Sequence, residues 1–226
     1  MAPRPNLLLR FFVAFACVAV AAGCGTREEP AVAPTVAARA GAVVDDLVEL
    51  EWDGTVRIAQ LDVAGPTLEI YEDYQCPVCL EFEQGDNNAL VREMVVKGAI
   101  AVMIHPLTIF RDNKPITREN SRRALIASLC VQDPRKWLRY HDELYAHQPD
   151  EFQKGGFPNE QLVQLARKVG IPVAEFTACL KSPETAKRAD AVTALALSRG
   201  VTGTPTIRYQ GQDLDWTSSW REAGQG

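Results

Sequence analysis

Two cysteines, Cys76 and Cys79, are separated only by Pro77 and Val78 in the stretch YEDYQCPVCLEFE, Tyr71 to Glu83. Such a pair can bind a metal, form a structural staple, or shuttle electrons as a dithiol. A structural zinc site needs four ligands and commonly a second closely spaced pair. Cys130 and Cys179 stand far apart in sequence, and the histidines are His105, His141 and His147. Copper carriage calls for soft thioether ligands, and past the N-terminal leader only Met94 and Met103 are present. A staple across two residues closes a tiny loop and gains little chain entropy. Redox exchange is therefore favoured over metal binding. Its electrons travel on the sulfurs themselves, so neither a cofactor nor a metal is expected.

The chemistry depends on where the pair sits. A strand reading over Thr67 to Tyr71 (TLEIY) runs into the motif, and a helical reading follows through Leu80, Leu90, Val91, Met94 and Val95. Cys76 then lies at the positive end of a helix, next to unpaired backbone N–H groups. Free cysteine titrates near pH ~8.5, and such positions in Cys-x-x-Cys motifs lower this to about 3.5–7.5. The expectation is an ionised, solvent-visible sulfur at Cys76, with Cys79 one helical turn on and able to close a disulfide. Pro77 falls in the first turn, where its missing N–H costs little.

Further elements frame this junction. Thr55 to Leu61 (TVRIAQL) reads as an earlier strand, and Gly85-Asp86 as a kink in the helix after the motif. Ala99 to Ile104 (AIAVMI) is an apolar run of strand length, as for a strand covered on both faces. Four or five helices follow without a strand: one opening at Thr117, one at Asp133-Pro134, one at Pro158 stopping at Gly170, a short one with Phe176 and Leu180, and one from Ser182-Pro183 to Gly200. A strand returns at Thr206 to Tyr209, with Gln210-Gly211 as a hairpin turn into a final strand near Leu214 and Trp216. The pattern is α/β, with a helical block inserted between two strand-bearing halves. The expected divisions are 1–23 leader, 24–44 tether, 45–116 first half, 117–200 helical insertion and return helix, and 201–226 second half.

At 226 residues the chain suits one buried domain. A formal charge of −5, with no dense Lys/Arg block, argues against a nucleic-acid partner. Arg4 and Arg10 precede an uncharged apolar run from Phe11 to Ala22, which reads as an export signal and is short for a membrane span. The small residues before Cys24 resemble the lipobox of bacterial lipoproteins, which implies lipidation of Cys24 and anchoring to a membrane surface. From Gly25 to about Gly41 the sequence has few large apolar residues and no period, as a tether would.

YEDYQCPVC resembles the DsbA-like branch of the thioredoxin superfamily, with its aromatic-x-Asp-aromatic-x-Cys-Pro-x-Cys signature at a strand-to-helix junction. KWLRYHDELYAHQ (Lys136 to Gln148) is similar to that branch's helical insertion, and GVTGTPTIRY (Gly200 to Tyr209) to its cis-proline segment. The resemblance spans most of residues 55–216 and implies a thioredoxin-like fold with an inserted helical subdomain. It also implies a cis Thr204-Pro205 peptide facing Cys76, with Thr204, Pro205, Pro77 and Val78 lining the substrate site. The partners it implies are exported cysteine-containing proteins and, for reoxidation, a quinone-linked membrane oxidoreductase.

Family members often carry a carboxylate six residues before the first cysteine, to relay protons to the second. Here that residue is Ile70, and alternation turns the adjacent Glu69 to the opposite face. Asp73 reads as a local cap for the loop before Cys76 rather than as an acid or base. Cys130 and Cys179, each on an expected helix of the insertion, read as a second disulfide, the alternative being two free core cysteines. His141 shares an apolar helix face with Trp137 and reads as core packing, and His105 as structural. The expected activity is extracytoplasmic thiol–disulfide exchange, with Cys76 attacking and Cys79 resolving, in the oxidase direction. A reductase or isomerase of the same fold and a non-enzymatic tethered binder are the alternatives.

Overall fold

The parallel pair at the centre explains the architecture. The computed structural model describes residues 44–218, apart from 61, 62, 64 and 112. The expectations for the leader 1–23, Cys24, the tether and Trp220 lie outside the described residues, except that the tether's final residue, Val44, is buried in the core. Six strands form one sheet in the order β1-β2-β4-β3-β5-β6: β1 (Val48–Leu50), β2 (Val56–Ile58), β3 (Thr67–Glu72), β4 (Ala101–Pro106), β5 (Thr206–Tyr209) and β6 (Gln212–Asp213). Only β3 and β4 are parallel, registered Ile70 to Ile104, while the other neighbours are antiparallel. A parallel pair needs a crossover. It is supplied by α1 (Pro77–Gln84) and α2 (Asp86–Val96).

The expected kink at Gly85 is a full break. Gly85 is extended, at φ −87° and ψ 167°, and its N–H donates to the Phe82 carbonyl, so α1 ends there and α2 restarts. Strand β2 is shorter than expected, and β1 was not anticipated at all. The chain folds back through Trp52, Asp53 and Gly54, with Glu51 N–H donating to the Thr55 carbonyl, and only three residues per strand remain to pair. Gly54 has φ +88°, and a Cβ there would stand 2.5 Å from Val192 Cγ1, so the turn requires glycine.

Between β4 and β5 the described residues form five helices: α3 (Pro115–Leu129), α4 (Pro134–Ala146), α5 (Asn159–Lys168), α6 (Val173–Leu180) and α7 (Pro183–Ser198). Helix α3 starts at Pro115, two residues before the expected Thr117, because proline is well suited to the first helical position. Asp133 and Ser182 cap α4 and α7 by accepting from the N–H of Arg135 and Glu184. Gln210 and Gly211 both have positive φ, a two-residue hairpin turn. That turn pairs Tyr209 with Gln212 and puts β6 just ahead of Leu214. One core runs through both layers, joining Ile70, Ile104 and Phe82 to Trp137, Tyr140 and Phe176. Among the described residues no helix is long and apolar enough to cross a membrane.

Candidate active site

Strand β3 delivers the chain to the motif, and Asp73 fixes the turn that follows. One Asp73 carboxylate oxygen accepts from Gln75 N–H at 2.8 Å. The other accepts from Ile109 N–H and from Ser121 Oγ, each at 2.8 Å. Cys76 N–H donates to the Asp73 carbonyl, leaving Cys76 at the N-cap of α1 in an extended conformation with Pro77 as the first helical residue. Asp73 is therefore a cap, as its position suggested, but a fully buried one: burial, outweighing its three hydrogen bonds, pushes its carboxyl up to about 7.

Cys76 and Cys79 are both free thiols here. The Cys76 thiol is lowered to about 6, chiefly by the Cys79 side chain and also by the Thr204 side chain and the N–H groups of Cys79 and Val78, against a desolvation penalty. While protonated, Cys76 donates to the Thr204 carbonyl at 3.3 Å. That bond favours the neutral thiol, and the lowered value means that the thiol and amide donors outweigh it. Cys79 has the opposite fate. It is wholly buried, and desolvation, its bond to Cys76 and the charge on Cys76 push it well above the ordinary range. Their mutual bond and their unequal burial, helped by the N–H groups of the helix start, thus separate two thiols one turn apart into a nucleophile and a proton-holding partner.

Access is narrower than the sequence suggests. Cys76 is 7% exposed, whereas Val78 is 42% exposed and Pro77 lies beside it at the surface. Thr204-Pro205 is a cis peptide, half-buried, placed across from Cys76 immediately before β5. The structure thus brings Cys76, Pro77, Val78, Cys79, Thr204 and Pro205 together. Cys130 and Cys179 lie apart from them and are joined, with an S–S distance of 2.05 Å.

Two glutamines went unnoticed in the sequence. Gln148, just past α4, donates from Nε2 to the carbonyls of Tyr74 (2.9 Å) and Cys76 (3.0 Å). Gln75 reaches back from Nε2 to the Pro149 carbonyl at 2.7 Å. No local pattern marks them, because the bonds span more than seventy residues. Glu72 was also missed, although a signal existed: period-two alternation puts it on the face of β3 that carries Ile70. His141 is in the core and stacks on Trp137 at 4.9 Å, yet its surroundings are not apolar, since a carboxyl faces each ring nitrogen. His105 stacks on Tyr71 at 4.3 Å and meets Thr55 Oγ1 at 3.0 Å, away from the motif.

Fold and dithiol together define a thiol–disulfide oxidoreductase with a thioredoxin-like core. The chain belongs to the thioredoxin family: a family profile described as Thioredoxin matches residues 62–225. Among solved structures it is similar to the reduced form of the disulfide bond oxidoreductase DsbG from Mycobacterium tuberculosis, at 26% identity and TM-score 0.63 over 75% of this chain and 84% of that one. It is similar to reduced DsbA from the same organism, at 27% identity and TM-score 0.61 over 72% and 85%. It also resembles the thiol-disulfide oxidoreductase MdbA from Actinomyces oris, at 25% identity and TM-score 0.59 over 74% and 80%. No curated protein matches the chain significantly.

Proposed function

We propose that the protein is an extracytoplasmic dithiol oxidase that hands its Cys76–Cys79 disulfide to exported cysteine-containing proteins. The observation that carries the dithiol reading is the free Cys76–Cys79 pair at the start of α1, and the Cys76 thiol lowered to about 6 supports the oxidase direction. A thiolate stabilised relative to an ordinary cysteine favours the reduced protein, which makes its disulfide more oxidising than one between ordinary thiols. In the forward reaction a substrate thiolate attacks Cys76 Sγ, the Cys76–Cys79 bond breaks, and Cys79 leaves with the electron pair and takes up a proton. A second substrate thiolate then attacks the substrate sulfur of the mixed disulfide and expels Cys76 as a thiolate. The substrate loses two electrons, and the protein gains them.

Thr204, Pro205, Pro77 and Val78 form the substrate-facing surface in this reading. An extended client can pair its backbone ahead of β5, beside the cis peptide, with its sulfur aimed at Cys76. Residues 1–23 act as the export leader, and a lipid on Cys24 with the tether 24–44 holds the domain at the membrane. There a quinone-linked oxidoreductase restores the disulfide, and tethering raises the effective concentration of the two partners.

The deciding experiment equilibrates the Cys76/Cys79 couple with glutathione buffers. An oxidase is expected to have a potential above about −200 mV, on the side of strong oxidants near about −120 mV. A value near about −270 mV, as for reducing thioredoxins, would reassign the protein as a reductase.

A further inference from the structure

Three side chains of the kinds that ligate metals converge from three elements. Glu72 closes β3, Glu83 lies in the last turn of α1, and His141 stands in the middle of α4. Glu72 is 1% exposed, His141 is fully buried, and the Glu83 side chain is 6% exposed. One donor atom of each lies within 4.8 Å of the others, and among the described residues no second group of three or more His, Cys, Asp or Glu comes together in this way. His141 Nδ1 is 3.3 Å from Glu72 Oε1, and Nε2 is 3.3 Å from Glu83 Oε2.

An imidazolium between two carboxylates satisfies itself when its N–H groups point at them. Here they do not. Among the described residues His141 Nε2 and both Glu72 oxygens are buried without a hydrogen bond in good geometry. So is the Tyr145 hydroxyl, whose ring stands edge-on to His141 at 5.1 Å. Buried polar atoms are ordinarily satisfied, so orphans gathered at one point call for a ligand that needs no N–H geometry, and a cation is one. The 3.3 Å between Nε2 and Glu83 is close to the edge of a tetrahedron with bonds of about 2.0 Å.

The surroundings hold these atoms in place. Glu83 Oε2 accepts from Asn88 Nδ2 at 2.9 Å and faces Arg92 Nη2 at 3.5 Å, and Arg92 is itself paired to Asp142 at 2.6 Å. The Tyr74 hydroxyl lies 3.2 Å from His141 Nδ1. An Nδ1–H donated to it leaves Nε2 as the free acceptor, and outer partners of this kind orient metal ligands. Beside Glu83 a cavity of ≈ 20 Å³, lined also by Asn88, Val91 and Arg92, has room for one water.

We propose that Glu72, Glu83 and His141 Nε2 form a structural site for one zinc ion, with a water from this cavity as the fourth ligand. One imidazole nitrogen with two carboxylates suits zinc, whereas calcium and magnesium call for oxygen alone. His141 binds as the neutral ring: the Nε2–H bond breaks, the proton leaves to solvent, and the bond from Nε2 to zinc forms. Two carboxylates then balance the two charges of the ion, and Arg92 keeps Asp142. The ion ties the end of β3 to α1 and α4. No step of dithiol exchange enters the assignment.

The test uses the oxidised protein, in which the Cys76 and Cys79 sulfurs are bonded to each other and cannot hold metal. The untagged chain is refolded from denaturant with zinc chloride, and the metal retained after gel filtration is measured. The wild type is expected to retain one zinc per chain and to melt higher than the metal-free protein. Glu72→Gln and His141→Gln should each cut the retained zinc about 10-fold or more. A wild type that retains none overturns the site. So does retention unchanged in both variants, which would mean an adventitious ion on exposed side chains such as His147 with Glu143. If neither variant folds, cobalt(II) in the wild type decides: a buried tetrahedral ion gives intense visible bands that survive brief EDTA treatment, and weak bands, or bands lost at once, are equally fatal.

Discussion

The two cysteine pairs of this chain occupy opposite ends of helices. Cys76 is the N-cap of α1, where the backbone dipole is positive. Cys130 is the C-cap of α3 and Cys179 lies in the last turn of α6, where it is negative. The first pair is two residues apart and free, and the second is 49 apart in sequence and bonded, with Cα atoms 5.7 Å apart. A thiolate is welcome at the first location and unwelcome at the second. A bridge whose sulfurs are poor leaving groups resists exchange, so one chain can keep a permanent bond beside a transferable one.

The comparison breaks most readily at Cys76. Cys76→Ser is expected to abolish oxidation of a reduced peptide dithiol, whereas Cys130→Ala/Cys179→Ala should keep it below the melting temperature. Equal rates for Cys76→Ser and the wild type would leave a non-enzymatic binder as the reading. The next effect is on stability: removing the 49-residue bridge should lower the unfolding free energy by about 4 kcal/mol in denaturant titration. A loss below about 1 kcal/mol would mean that the insertion is held by its apolar core alone.

The smallest effect concerns pH. In the reduced protein the folded Cys76 thiol is depressed to about 6, so its contribution is present above the unfolded value and is lost as pH falls through 6. In the oxidised protein it does not titrate. The raised Glu72, Asp73 and His141 weaken both forms as pH rises, so they largely cancel in the difference. The reduced form should therefore gain stability relative to the oxidised form from pH 6 to about 8.5, above which the raised Cys79 acts against it. Paired melts over that range check the sign.

Much of this was legible from local signals. Proline and cap residues mark the starts of α4 and α7, the apolar run marks β4, and the motif marks the strand-to-helix junction. What stayed hidden depends on partners distant in sequence. Strand β1, three residues long, exists because β2 pairs with it, and Val-Glu-Leu carries no strand signal of its own. Helical periodicity put His141 in the core but could not show that Glu72 and Glu83 would arrive from two other elements to flank it.

The reciprocal amide bonds of Gln75 and Gln148 have a consequence for which clients are served. They tie the rim of the helical block to the reactive loop, so opening the mouth for a bulky visitor would break three amide bonds. With the Cys76 sulfur recessed inside this frame, thiols borne on slack, unfinished chain are expected to reach it more readily than those seated on a completed surface.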